Sequence, residues 1–244
     1  TFVINAGNPA FTNNVNTTLV FTANDPSGVT HRCVGVAPVT APASNDPCFQ
    51  PIAFTSFALT AGDGLKTLNV WFRDAANNVS AAVAADSITL DQTAPTLSVA
   101  GLGIASGAAS TNSLSPVFAH SASDATSGLA QVCTGDTSPP ASCVAYTTSP
   151  TATLSAGDGP KTAFIRVSDG AGNVSFILSD SITLDQTAPG LTSASINGGA
   201  MFTNSINVSV TSVATDAIGV TQMQLSNSGV GGFGAPVPYL SPVN

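Results

Sequence analysis

The ten-residue string DSITLDQTAP occurs twice in this chain, at 86–95 and again at 180–189. A repeat of that length does not arise by chance, so the chain is an array of modules rather than one compact catalytic domain. The likeness extends outward, since AGDGLKT at 61–67 matches AGDGPKT at 156–162, and DAANNVS at 74–80 matches DGAGNVS at 169–175. Thr12-Asn13, Thr111-Asn112 and Thr203-Asn204 open a third matching stretch, present in all three copies. The period of about 95 residues is too long for a solenoid turn and ordinary for a β-sandwich. Repeat one covers 1–95, repeat two 96–189, and repeat three 190–244, which ends before a GDG turn recurs.

Composition fixes the class. All thirteen acidic residues are aspartate, and the chain carries 22 glycines and 16 prolines. Aspartate favours turns and caps while glutamate favours helix interiors, so an all-β chain is expected. The basic residues are only Arg32, Lys66, Arg73, Lys161 and Arg166, and the net charge is −8. With no basic cluster, neither nucleic acid nor an anionic membrane is an expected partner. No apolar run reaches the roughly 18 residues that a spanning helix needs, so membrane insertion is not expected. The sequence opens on Thr1 without a signal peptide, which reads as a slice of a longer or processed protein.

The cysteines follow the repeat. Cys33 and Cys133 each lie five residues after a glycine, Gly28 or Gly128, and Cys48 and Cys143 each lie fifteen before the aspartate of a GDG turn. Equal framing around a variable loop suggests one disulfide per repeat, Cys33–Cys48 and Cys133–Cys143. Two pairs of free buried thiols are the alternative; zinc is disfavoured because no CxxC or nearby His pair exists. Disulfides imply an oxidising, extracytoplasmic setting.

Alternation with period two marks the strands. The spacing predicts strands at Phe2–Asn5, Val15–Ala23, Val29–Val36, Ala53–Thr60 and Lys66–Arg73, then a final strand ending in DSITL, with counterparts in repeat two. Leu68, Val70 and Phe72 share one face, as do Ala163, Ile165 and Val167. The Asn- and Gly-rich stretches 74–78 and 169–173 are the tight turns of a hairpin. About seven strands per repeat, with turn signals every 8–12 residues, fit tandem immunoglobulin-like β-sandwich domains in a linear array.

The order GDGxKT, DxAGNVS, SDSITLDQTAP resembles the bacterial Ig-like or fibronectin-III-like repeats of large secreted surface proteins. Repeat one departs from it, with Ala76-Asn77 where Ala171-Gly172 stands in repeat two. The resemblance implies the sandwich fold and an extracellular, cell-surface location. It also implies a structural part as rod, stalk or filament, with self-association or neighbouring repeats as partners. Alternatives are the stalk of an adhesin with a cell-surface or glycan ligand, and accessory domains of a secreted polysaccharide-active enzyme.

Eleven aspartates recur at matching positions, as Asp25/Asp124/Asp216, Asp63/Asp158, Asp74/Asp169, Asp86/Asp180 and Asp91/Asp185. The plainer account is structural, because Asp side chains accept backbone N–H bonds in turns. The sharper account is calcium at the junctions, since Ca²⁺ takes six to eight oxygens from clustered carboxylates and carbonyls. The resemblance implies linkers stiffened in that way. Asp91 or Asp185 in the linker would then ligate together with Asp25, Asp124 or Asp216 from an adjacent loop. No other cofactor is expected. His31 and His120 do not align, and no nucleophile motif accompanies either, so no catalytic residues and no enzyme are expected. Trp71, the only tryptophan, has the parity opposite Leu68 and Val70 and is expected to point outward, either as an ordinary exposed aromatic or as an interface residue toward a neighbouring subunit or a sugar ring. The third repeat lacks a hairpin and is expected to need either a continuing chain or a neighbouring subunit to complete it.

Overall fold

The computed structural model describes residues 1–6, 9–36, 40–53, 55–81, 84–227 and 232–240, and at 101 and 102 the backbone alone. The chain is all-β, and its first two repeats are β-sandwiches. In repeat one the eleven-residue strand Gly64–Asp74 is central. It pairs antiparallel with Ala84–Leu90 on one side and Val29–Gly35 on the other. Phe11–Thr12 and Gln50–Pro51 close the two edges of this five-stranded sheet. The facing sheet has the order Phe2–Ile4, Asn16–Phe21, Ser56–Ala58. Repeat two rebuilds the five-stranded sheet from Ser110–Thr111, Leu178–Leu184, Gly159–Asp169, Leu129–Gly135 and Ser142–Ala145. Opposite it, Thr96–Ile104 pairs with Phe118–Ser123.

The hairpin reading holds, and in both repeats the expected face of the central strand lies in the core between the sheets. Leu68 and Val70 are buried with Ile4, Leu19, Ile88 and Leu90, while Ala163, Ile165 and Val167 are buried with Ile104, Phe118 and Ile182. Each fully buried aliphatic side chain contributes about 1.5–3 kcal/mol relative to exposure.

The opening strand lies where it is expected, as Phe2–Ile4 in one sheet. An additional piece that the spacing does not predict, Phe11–Thr12, crosses to pair in parallel with Ala84–Leu90 in the other sheet. Two residues are too few to show a period. One strand expectation is corrected. The strand expected over 53–60 is only Ser56–Ala58, although Phe54 lies outside the described residues. Its counterpart over 151–155 is a single bridge between Thr151 and Val117. The crossing is pinned by a recurring aspartate. Asp86 Oδ2 accepts Ile4 N–H at 2.7 Å, and Asp180 Oδ2 accepts Ile104 N–H at 3.0 Å. A Cβ at Gly103, whose φ is +109°, would run into the Asp180 carboxylate.

Disulfides join Cys33 to Cys48 and Cys133 to Cys143. The first of them overturns the expectation for Trp71. That residue does lie on the outer face, directly across from Cys33, yet it is only 2% exposed. The segment returning to Cys48 covers it, with Thr40, Ala41, Pro42 and Asp46 around the same cavity. Asn69 and Phe49 are buried too, and Arg73 lies 4.9 Å over the Phe49 ring. Strand parity gives the face of a side chain but not what a later loop lays over it.

Among the described residues, repeat three has no comparable interior. Gly190–Ile196 pairs with Val210–Thr215, and Gln222–Met223 with Val237–Pro238. No described residue beyond Leu184 is buried. Val210, which matches the buried Leu19 and Phe118, is half-buried, and Ile206 is 99% exposed.

Candidate metal centre between repeats one and two

The linker after Leu90 is held from both sides. On the repeat-one side, Asp63 of the GDG turn accepts Gln92 N–H at 2.8 Å and the Thr93 hydroxyl at 2.5 Å. Asp158 accepts the Gln186 amide and the Thr187 hydroxyl in the same way. These bonds, the threonine hydroxyl foremost, hold both carboxyls below the usual carboxylate range. Within the linker, Asp91 Oδ1 accepts Thr93 N–H at 3.1 Å, an Asx turn that fixes its course.

On the repeat-two side, Asp91 Oδ2 accepts both the backbone N–H and the hydroxyl of Ser127, at 3.0 and 2.5 Å. Asn173 donates to the Asp91 carbonyl at 2.8 Å. Ser127 and Asn173 are placed by their own turns. Asp124 Oδ1 accepts the N–H groups of Thr126, Ser127 and Gly128. Asp169 accepts from Ala171 N–H, Asn173 N–H and Asn173 Nδ2. The turn after Asp169 also touches repeat one, where a Cβ at Gly170 would lie 2.7 Å from the Ser127 carbonyl and 3.4 Å from the Phe11 ring.

These contacts bring Asp91, Asp124 and Asp169 together, with one carboxylate oxygen of each within 4.8 Å of the others. That spread is what two oxygens about 2.3–2.6 Å from one calcium ion can have. Asp91 is 0% exposed and Asp169 3%. Every donor to the three is neutral: backbone amides, the Ser127 hydroxyl and the Asn173 amide. Three carboxylates this close repel one another without a cation, and an all-oxygen donor set suits a hard ion such as calcium. The residues therefore fit that group.

The expected ligands fare unequally. Asp91 and Asp124 meet here. Asp185 makes its Asx bond to Thr187 N–H at 3.1 Å, but it is half-buried, and Pro189 is exposed where Pro95 is buried. Asp216 caps its own turn through Ile218 and Gly219, and its other oxygen is buried without a partner. Asp25 sits at the opposite pole of repeat one, where it lines a cavity with Asp74. Among the described residues Asp91, Asp124 and Asp169 are the one such group of three. Sequence reasoning passed over Asp169, Ser127 and Asn173 as parts of the site. The recurrence of the DxxxN turn was a signal, but its place beside the linker depends on how the sandwich is wound.

His120 is buried on the core side, its ring edge-on to Tyr146 at 5.7 Å. Burial lowers its pKa, opposed by a bond with the Phe118 carbonyl. Among the described residues, no helix is long and apolar enough to cross a membrane.

No family model matches the chain, and no curated protein does. Among solved structures the chain is similar to the fibronectin(III)-like modules of Clostridium thermocellum CbhA, at 13% identity, with 75% of this chain and 94% of that chain covered and a TM-score of 0.46.

Proposed function

We propose that the chain is part of an extracellular structural array, a rod, stalk or filament at the cell surface, in which the linker between repeats one and two is locked to the sandwiches before and after it. The observation that carries this reading is the two-sided hold on Asp91-Gln92-Thr93, by Asp63 behind and by Ser127 and Asn173 ahead. An unconstrained linker would leave neighbouring sandwiches free to swing, whereas this one gives up its hydrogen-bonding groups to both. The disulfides fit an oxidising, extracytoplasmic setting. The function assigned to the molecule is mechanical, with no catalytic role.

Calcium at Asp91, Asp124 and Asp169 belongs to the same proposal. It would screen the three carboxylates and draw linker, turn and loop onto one ion. Small-angle scattering and thermal melting of the full chain in calcium and in chelator test it. Calcium is expected to raise Tm and straighten the junction, and Asp169→Asn to weaken both responses. Identical curves with and without calcium would remove the ion from the proposal, and a freely bending junction in both conditions would remove the rod.

A further inference from the structure

The outer faces of the two sandwiches carry a disulfide in unlike settings. In repeat one Cys33 lies directly across from Trp71, and in repeat two Cys133 lies directly across from Arg166. The bridged cysteines are 15 positions apart in repeat one and 10 in repeat two. The longer segment covers its face: Trp71 is buried, Cys33 is 6% exposed and Cys48 is half-buried. The shorter segment leaves its face open. Cys133 is 5% exposed, but its partner Cys143 is exposed. Both cysteines line a cavity of about 270 Å³ together with Gln131, Arg166, Ser168 and Val174 among others.

Arg166 is an unengaged cation in that cavity. On the outer face of repeat one, Arg73 is held by the Ser44 carbonyl and the Phe49 ring. Arg166 has no hydrogen bond or ion pair among the described residues, and its Nε is buried without a partner. Side chains directly opposite on adjacent strands have Cβ atoms about 4.5–5.5 Å apart, so the guanidinium can reach the Cys133 sulfur. Thiol–disulfide exchange depends on access to the sulfur attacked and on the stability of the thiolate that departs. A neighbouring guanidinium stabilises a thiolate. Exposure therefore selects Cys143 as the sulfur attacked, and Arg166 selects Cys133 as the sulfur that leaves.

We propose that Cys143 is a site of reversible modification by a small thiol, with Cys133 as the leaving sulfur and Arg166 as the residue that stabilises it. The incoming thiolate forms a bond to Cys143 Sγ, the Cys133–Cys143 bond breaks, and its electron pair departs on Cys133 Sγ beside the guanidinium. One disulfide replaces another and one thiolate replaces another, so nothing beyond the thiol itself is consumed. Attack by the Cys133 thiolate on Cys143 expels the thiol and restores the bridge. Backbone pairing of Gln131–Thr134 with Ser142–Ala145 still holds the edge strand when the bridge is open. The sandwich thus stays folded while its outer face changes. The Cys33–Cys48 bridge, covered and facing Trp71, is the internal reference. The proposal goes beyond the rod reading and does not depend on it.

The test exposes the full chain to β-mercaptoethanol, a neutral thiol that Arg166 does not attract by charge. The reaction is quenched with an alkylating reagent, and the peptides are mapped by mass spectrometry. The Cys133–Cys143 bridge is expected to open on the order of tenfold faster than Cys33–Cys48. The thiol should be found on Cys143 and the alkyl group on Cys133. Arg166→Gln should slow this opening several-fold and leave Cys33–Cys48 unchanged. Arg166→Lys, which keeps the charge, should restore most of the rate, an effect that packing alone would not produce. Equal rates at the two bridges of the unaltered chain overturn the proposal, as does the thiol on Cys133. An Arg166→Gln variant that reacts as fast as the unaltered chain overturns it too.

Discussion

Each recurring aspartate now has a physical task. Asp86 and Asp180 pin the crossing strand, Asp63 and Asp158 clamp the linker, Asp74 and Asp169 close the hairpin turn, and Asp25, Asp124 and Asp216 cap a loop. Because Asp63 accepts two bonds as the anion, its pKa lies below the ordinary 3.8. The clamp is therefore fully present above that value and is lost as pH falls through the lowered one. Carboxyl ¹³C titration should show Asp63 and Asp158 protonating below the ordinary range; midpoints at the ordinary value would contradict the clamp. His120 behaves in the related sense for a base. Burial lowers its pKa from 6.5, so the unfolded chain takes up its proton first, and stability declines as pH falls from about 6.5 toward the lowered value. Phe21 fills the same position in repeat one. His120→Phe should remove that decline, seen as a flatter Tm against pH; an unchanged slope would count against it.

At the scale of elements, the disulfide segment of repeat one builds a second, smaller interior on the outer face of its sheet. Arg73 extends across it, donating to the Ser44 carbonyl at 2.5 Å. Replacing Cys33 and Cys48 together by serine should cost about 3 kcal/mol, the scale for a loop of about 15 residues. It should also uncover Trp71. Since that is the only tryptophan, its emission should shift to the red while far-ultraviolet circular dichroism holds. A blue, unshifted emission in the folded variant would mean that the segment covers Trp71 without the bridge.

At the scale of the molecule, the described residues form two cored sandwiches followed by strands with no buried residue among them. In repeats one and two the hairpin supplies the residues that face Leu19 and Phe118. The described residues of 190–240 include no such hairpin, and Met201, Phe202 and Ile206 are 88%, 89% and 99% exposed. Backbone pairs without a buried face open readily. Hydrogen exchange on the full chain should show amides of 210–215 exchanging orders of magnitude faster than those of 64–74 and 159–169. Equal protection in monomeric protein would contradict this account.

Much of the architecture was legible in the sequence because it is set locally. The period came from repeated strings, the hairpins from alternation around turns rich in Asp, Asn or Gly, and the cysteine pairing from equal framing. What the tertiary structure decided was cover and convergence. Trp71 is buried by a loop that returns from elsewhere in the sequence. Asp169 joins Asp91 and Asp124 only because two turns of one sandwich and the linker of another meet at one pole. The added edge piece Phe11–Thr12 pairs through two residues whose partners lie about 80 positions away. Periodicity reports which face a residue takes, but a site is made by segments distant in sequence, and their approach is fixed by how the sheets pack.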